Sequence, residues 1–230
     1  MLGLNDHIAA LSGGSSIWVV LAVATLLGLR HATDPDHIAA VTTLVAGGRE
    51  RAAKRAGELG LAWGLGHAVT LFAFGLPILL LSAYLPERVQ QTAETAVAGV
   101  IVYLAVRLLI RWRRGAFHVH GEGTHVHVPA RTRLGAFAIG LVHGMGGSAG
   151  VGVLIVASVQ STAFAVLSLA ALAVFTAVSM TMLSTGFGLT LVARPVRAAL
   201  NGIAPALALG SFAFGLWYAS AAWSLAPYPF

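Results

Sequence analysis

The chain has 230 residues, of which 57% are apolar and only 10% charged, against about 25% charged in ordinary soluble domains. That balance excludes a soluble globular domain, and the absence of cysteine excludes disulfides and thiolate metal ligands. The formal charge of +6 gathers in connections between apolar runs, so it calls for no nucleic-acid partner and is read as a membrane-topology signal.

Apolar runs of about 20 residues or more predict an all-α integral membrane protein with six transmembrane helices, near 16–46, 60–84, 93–112, 134–158, 164–192 and 202–225. Met1 to Ser16 carries no Lys or Arg ahead of the first run, so it is expected to be a retained tail rather than a cleaved signal.

The first span contains Arg30-His31-Ala32-Thr33-Asp34-Pro35-Asp36-His37. A charge in hydrocarbon costs at least about 2.5–3.5 kcal/mol, so such residues persist where they line a cavity or hold an ion. His31 and His37 are six residues apart, about 240° around a regular helix, and cannot share one face. Pro35 breaks the helical ladder and drives Asp34 out of the α region, so a turn at Asp34-Pro35-Asp36 is expected to bring the two arms together. The plainer alternative is that Asp34 caps the second half-helix, Asp36 pairs with Arg30, and the histidines are neutral hydrogen-bonders. We expect His31, Asp34, Asp36 and His37 to be metal ligands, with Arg30 balancing one carboxylate.

In the second span, Gly64-Leu65-Gly66-His67-Ala68-Val69-Thr70 places a histidine beside glycines expected to permit close approach to the first span. His67 joins the expected ligands. After the third span the chain reads His118-Val119-His120-Gly121-Glu122-Gly123-Thr124-His125-Val126-His127. Paired His-x-His units in a glycine-containing loop suit low-affinity metal capture by His118, His120, His125 and His127, a reading that rests on composition.

In the fourth span, Gly140-Leu141-Val142-His143 repeats Gly28-Leu29-Arg30-His31 at an offset of 112, and Phe187-Gly188-Leu189 in the fifth repeats Phe74-Gly75-Leu76 at 113. This suggests two three-helix halves. With an odd number of spans each, they would be inverted repeats with a midplane site on discontinuous helices. The interruptions would be Pro35 in the first half and Gly144-Met145-Gly146-Gly147-Ser148-Ala149-Gly150 in the second; His143 is the remaining candidate ligand. Met180 and Met182 in the fifth span point to different helix faces and are read as packing. The expected organisation is 1–115 for the first half, 116–131 for the His-rich loop and 132–230 for the second half.

Arg49, Arg51, Lys54, Arg55, Arg111, Arg113, Arg114, Arg131, Arg133, Arg194 and Arg197 fall in alternate connections, and Arg88 alone lies on the other side. The positive-inside rule then puts both termini outside and the His-rich loop in the cytoplasm, with the protein in the cytoplasmic (inner) membrane. Trp18, Tyr84, Trp217, Tyr218 and Trp223 fall at outer span ends, and Trp63 and Trp112 at inner ends, as an interfacial aromatic belt would require.

Imidazole and carboxylate donors without sulfur suit Ni2+, Co2+, Zn2+, Fe2+ or Mn2+ without choosing among them. Arg30 to Ile38 resembles the His-x4-Asp-His signature of the nickel/cobalt transporter family, and Leu65-Gly66-His67-Ala68-Val69-Thr70 resembles that family's Leu-Gly-His motif. By that resemblance His31, Asp36 and His37 select the metal and His67 joins them. The six-span length is similar to that of a short branch, the urease-accessory nickel permeases. The acidic motifs of longer members' second halves are absent, and residues 144–150 stand where the repeat puts a counterpart.

The resemblance implies a permease for Ni2+ or Co2+ as transported substrate, acting by uptake and without an organic cofactor. It is not an enzyme on this reading. The bilayer and the ion are its expected partners, with a homo-oligomer or a cytoplasmic metallochaperone as further candidates. An exporter of the same fold is the alternative in direction, and a membrane-embedded metal hydrolase the alternative in class. The latter lacks a His-Glu-x-x-His motif.

Overall fold

The computed structural model describes residues 17–45, 52–81, 86–114, 132–146, 161–192 and 194–227. The described residues form seven helices: α1 (Ile17–His31), α2 (Pro35–Val45), α3 (Ala52–Leu81), α4 (Glu87–Arg113), α5 (Arg133–His143), α6 (Thr162–Val192) and α7 (Arg194–Ala222). Four of them, α3, α4, α6 and α7, contain stretches long and apolar enough to cross a membrane. At 1.5 Å per residue, the 30 residues of α3 reach about 45 Å, more than the roughly 30 Å of hydrocarbon. The regular structure of the described residues is all helical, and the chain is a multi-pass membrane protein.

The first expected span is interrupted, and the helix that opens the fourth ends at His143. α1 has 15 residues and α2 has 11, so neither crosses alone. Thr33 N–H donates to the Arg30 carbonyl at 2.8 Å and Asp34 N–H to that of His31 at 3.1 Å, closing a turn over residues 32–34. Pro35 has no N–H to lose at the first position of α2, and the Asp34 carbonyl accepts the first helical bond, from Ile38 N–H at 3.0 Å. The helix is thus broken at Pro35 as expected. α5 starts on Thr132, whose hydroxyl accepts from Gly135 N–H at 3.0 Å in an ordinary N-cap. It ends at His143 after 11 residues, with Gly144 as C-cap; both copies of the repeated four-residue string close a helix on their histidine.

Helix pairing is symmetric in a specific sense. α3 packs along α6 and α4 along α7, while α3·α5 and α1·α6 form the two other major contacts. Exchanging α1 with α5, α3 with α6 and α4 with α7 maps this set onto itself. α3 meets α6 through Gly57, Gly60 and Gly64 opposite Thr185, Ser184 and Ala177, an antiparallel small-residue seam of the kind that drives helix association in lipid. Gly64 and Gly66 therefore serve approach to α6 and α5, not to the first span as the sequence suggested. The reason is that α3 packs against those two helices and touches α2 only slightly.

Two aromatic assignments also change. Trp63 and Tyr218 are fully buried, whereas Trp18, Trp217 and Trp223 are exposed as a belt requires. Trp63 lies in a core with Ala32, Val41, Leu59, Leu104 and Met180, because the turn of α3 that carries it faces α5 and the α1–α2 break.

Candidate metal centre

His67 lies half-way along α3. The helix break presents His31 from the end of α1 and Asp36 and His37 from the start of α2, while His143 arrives at the end of α5. The approach of α5 depends on glycine: a Cβ on Gly140 would overlap the Trp63 carbonyl, and one on Gly144 would stand 2.7 Å from the His67 carbonyl. Thr70 ties the same helices by donating to the Leu141 carbonyl at 2.9 Å, one of the carbonyls that the end of α5 leaves without a helical partner.

The result is a cluster of four imidazoles. Ring centroids are 4.4 Å apart for His31 and His37, 4.7 Å for His31 and His67, 4.5 Å for His37 and His143, and 5.2 Å for His37 and His67. His31 is 8% exposed, and Asp36, His37, His67 and His143 are 1% or less. The turn does what the sequence expected of it, since two histidines unable to share a helix face now pack edge to face.

Hydrogen bonds define the ring orientations. Asp36 accepts from His37 Nδ1 at 3.0 Å through Oδ1 and from His143 Nε2 at 3.1 Å through Oδ2. An ionised carboxylate only accepts, so His37 carries its proton on Nδ1 and His143 on Nε2. On the other arm, His31 Nδ1 lies 3.3 Å from Asp34 Oδ2, and its Nε2 stands 2.8 Å from His67 Nε2, one ring donating to the other.

The opposite nitrogens, His37 Nε2, His67 Nδ1 and His143 Nδ1, are buried without a hydrogen-bond partner. Each unsatisfied buried polar group costs about 1–3 kcal/mol, and three in one cluster are what a cation would relieve.

Ligating atoms of His31, His37 and His67 lie within 4.8 Å of one another, and so do those of Asp36, His37 and His143. The C-terminal ends of α1 and α5, carrying the negative ends of their helix dipoles, also reach the cluster and favour positive charge there. With a carboxylate against one nitrogen of each, His31, His37 and His143 have the Asp-His arrangement that orients and strengthens metal ligands.

Asp34 lies in neither three-residue group; it backs His31, with Arg30 Nη2 at 4.0 Å from its Oδ1. Arg30 therefore stands by Asp34 and not by Asp36, which the two histidines occupy. Met180 is buried in the apolar core, as packing requires, whereas Met182 is 66% exposed. His118, His120, His125 and His127 lie outside the described residues, as do residues 147–150 of the glycine-rich stretch.

Two residues near the site escaped the sequence reading. Trp63 was assigned to a membrane interface, yet its ring stands 5.6 Å from both His37 and His143; its spacing of four from His67 was the available signal. Glu94 is 2% exposed in α4, accepts from Gln90 Nε2 at 3.1 Å and has its backbone against Gly146. It stands at the start of the third apolar run, after Gln90, Gln91 and Thr92, where an acid carries no particular signal.

The chain is similar to the urease accessory protein UreH of Bacillus sp. (strain TB-90), with 29% identity over 187 residues, covering 77% of this chain and 81% of that protein. No family profile matches the chain, and no solved structure does. The resemblance to the urease-accessory branch that the two histidine motifs carry thus extends over most of the sequence.

Proposed function

We propose that this chain is a secondary permease that carries Ni2+ inward across the cytoplasmic membrane through the cluster of His31, Asp36, His37, His67 and His143, with Asp34 and Arg30 as its charge-balancing rim. The observation that carries the reading is the set of three unpartnered imidazole nitrogens, on His37, His67 and His143, buried together where His67 stands half-way along a membrane helix. A structural histidine cluster has every reason to satisfy those nitrogens. A cluster that receives a cation has reason to leave them open.

The symmetric helix pairing supports two inverted three-helix halves, 1–115 and 132–230, with α1–α2 and the fourth span, whose opening helix ends at His143, as the broken helices that such transporters place at the midplane. The residues 116–131 between them would form the cytoplasmic His-rich loop, where His118, His120, His125 and His127 would gather metal. The arginine distribution supports both termini outside. Similarity to a urease accessory protein favours nickel over cobalt, because the branch that the motifs resemble handles nickel. A membrane potential contributes about 4.6 kcal/mol per 100 mV to a divalent cation moving inward, so uptake needs no nucleotide.

The test is Ni2+ and Co2+ flux into proteoliposomes containing only this chain. His37→Ala is expected to abolish flux while leaving helical content unchanged. Tight metal binding with no flux from the unmodified chain would turn the assignment toward an enzyme or toward a subunit of a larger importer.

A further inference from the structure

We propose that the cluster is two metal stations in series, not one cage, and that His37 belongs to both and hands the ion across. This rests on the permease reading and adds a path within it. The two groups of candidate ligands, His31-His37-His67 and Asp36-His37-His143, share His37 and no other residue. His31 and His67 come from α1 and α3, whereas His143 comes from α5 in the other half of the chain.

The distances suit both positions. Two donors bound at about 2.0–2.1 Å and at right angles about one ion lie roughly 2.9 Å apart. His31 and His67 present their Nε2 atoms at 2.8 Å, and Asp36 stands at 3.0 Å and 3.1 Å from His37 Nδ1 and His143 Nε2. Each pair is a hydrogen bond without an ion; an ion replaces the shared proton, which moves to the far nitrogen of its ring, so that a bound His67 or His143 carries its proton on Nδ1, the atom left open in the absence of the ion.

His37 decides which station is open. With its proton on Nδ1, facing Asp36, the unpartnered Nε2 is the lone pair available to the station of His31 and His67. To serve the second station, His37 must present Nδ1 and carry its proton on Nε2. A neutral ring cannot offer both lone pairs, so one ion occupies one station at a time.

Transfer is then a change of tautomer. His37 releases the Nδ1 proton and takes one on Nε2, while His143 releases its Nε2 proton and takes one on Nδ1. The total proton count is unchanged and the ion moves from nitrogen-only ligation to ligation that includes a carboxylate.

The experiment uses the full chain with His118, His120, His125 and His127 replaced by Ala, so that the loop does not contribute to bound metal. Ni2+ stoichiometry is measured by equilibrium dialysis, ligation by X-ray absorption, and flux in proteoliposomes. The parent is expected to bind one Ni2+. The double variant His31→Ala/His67→Ala is expected to keep one Ni2+ with carboxylate oxygen in its shell, and His143→Ala to keep one with nitrogen ligands from the imidazoles. Each is expected to lose at least tenfold in flux.

His143→Gln retains an amide donor toward Asp36 but lacks the imidazole ligand, so it separates ligation from positioning. It is expected to lose flux as His143→Ala does. Normal flux in His143→Gln, or complete loss of binding in both the double variant and His143→Ala with helical content intact, would overturn the two-station path. Absence of Ni2+ binding by the parent would instead overturn the permease reading on which the path depends.

Discussion

Asp36 and His143, 107 residues apart in the chain, meet at 3.1 Å with both side chains buried. The same carboxylate holds His37 through its other oxygen at 3.0 Å, so one aspartate contacts both its neighbour in sequence and an imidazole from a distant segment.

Asp36→Asn keeps the shape but offers one acceptor oxygen where two are used, leaving one imidazole N–H facing an amide. Loss of such a partner behind a metal ligand typically costs 10–100-fold in affinity. Ni2+ affinity by isothermal titration calorimetry should fall by that factor, with transport falling in parallel. Affinity within twofold of the parent would rule out the orienting role.

Gly140→Ala puts a methyl group into the Trp63 backbone carbonyl and must push α5 off α3. Overpacking of this kind costs about 1–3 kcal/mol, and here it also moves His143. Thermal unfolding in detergent, followed by tryptophan fluorescence, should show a clear drop in Tm together with weakened Ni2+ binding. Gly99→Ala is the control, because a Cβ there meets nothing within 4 Å and alanine is the better helix former.

Thr70→Val preserves volume and removes the hydroxyl that donates to Leu141 at 2.9 Å and shares itself with Gly66 at 3.2 Å. Interhelical side-chain bonds in membranes average about 0.6 kcal/mol. Stability should fall by about that amount, and Ni2+ affinity should fall with it as the end of α5 loosens. A loss of several kcal/mol would mean that Thr70 does more than tie α3 to α5.

Arg133→Ala removes the 3.0 Å ion pair with Glu58, whose other cation is Arg55 at 3.7 Å. With Arg133 67% exposed, solvent screens such a pair and it contributes little to stability. Flux at saturating Ni2+ should be unchanged and Tm nearly so. A large loss of flux would show that the α3–α5 contact at this end controls passage.

The chain has no cysteine, so a single introduced one reports topology directly. Gly121→Cys is expected to react with a membrane-impermeant maleimide only in inside-out vesicles, and Ser15→Cys only in right-side-out cells. The reverse pattern would invert the orientation read from the arginines.

Composition and the order of apolar runs were sufficient for the membrane class and the helical fold, because lipid leaves backbone polar groups no partner except one another. The break at Pro35 was equally legible, since a missing N–H is a local property. So was the suspicion attached to His31, Asp36, His37 and His67, four ionisable groups placed where hydration is lost. The position of His143 was legible only as a repeat of His31; that it shares Asp36 with His37 was not.

Trp63 shows the same limit from the other side, for an aromatic near a span end looks like a belt residue until the helix it faces is known. What the sequence by itself determined is which residues are too polar for lipid and where the helices must stop, both set within a few residues along the chain. Which carboxylate holds which ring, and so which nitrogens stay open, depends on the glycine-mediated approach of α5 to α3. That approach is fixed by side-chain volumes on two distant segments at once, and only the tertiary structure decides it.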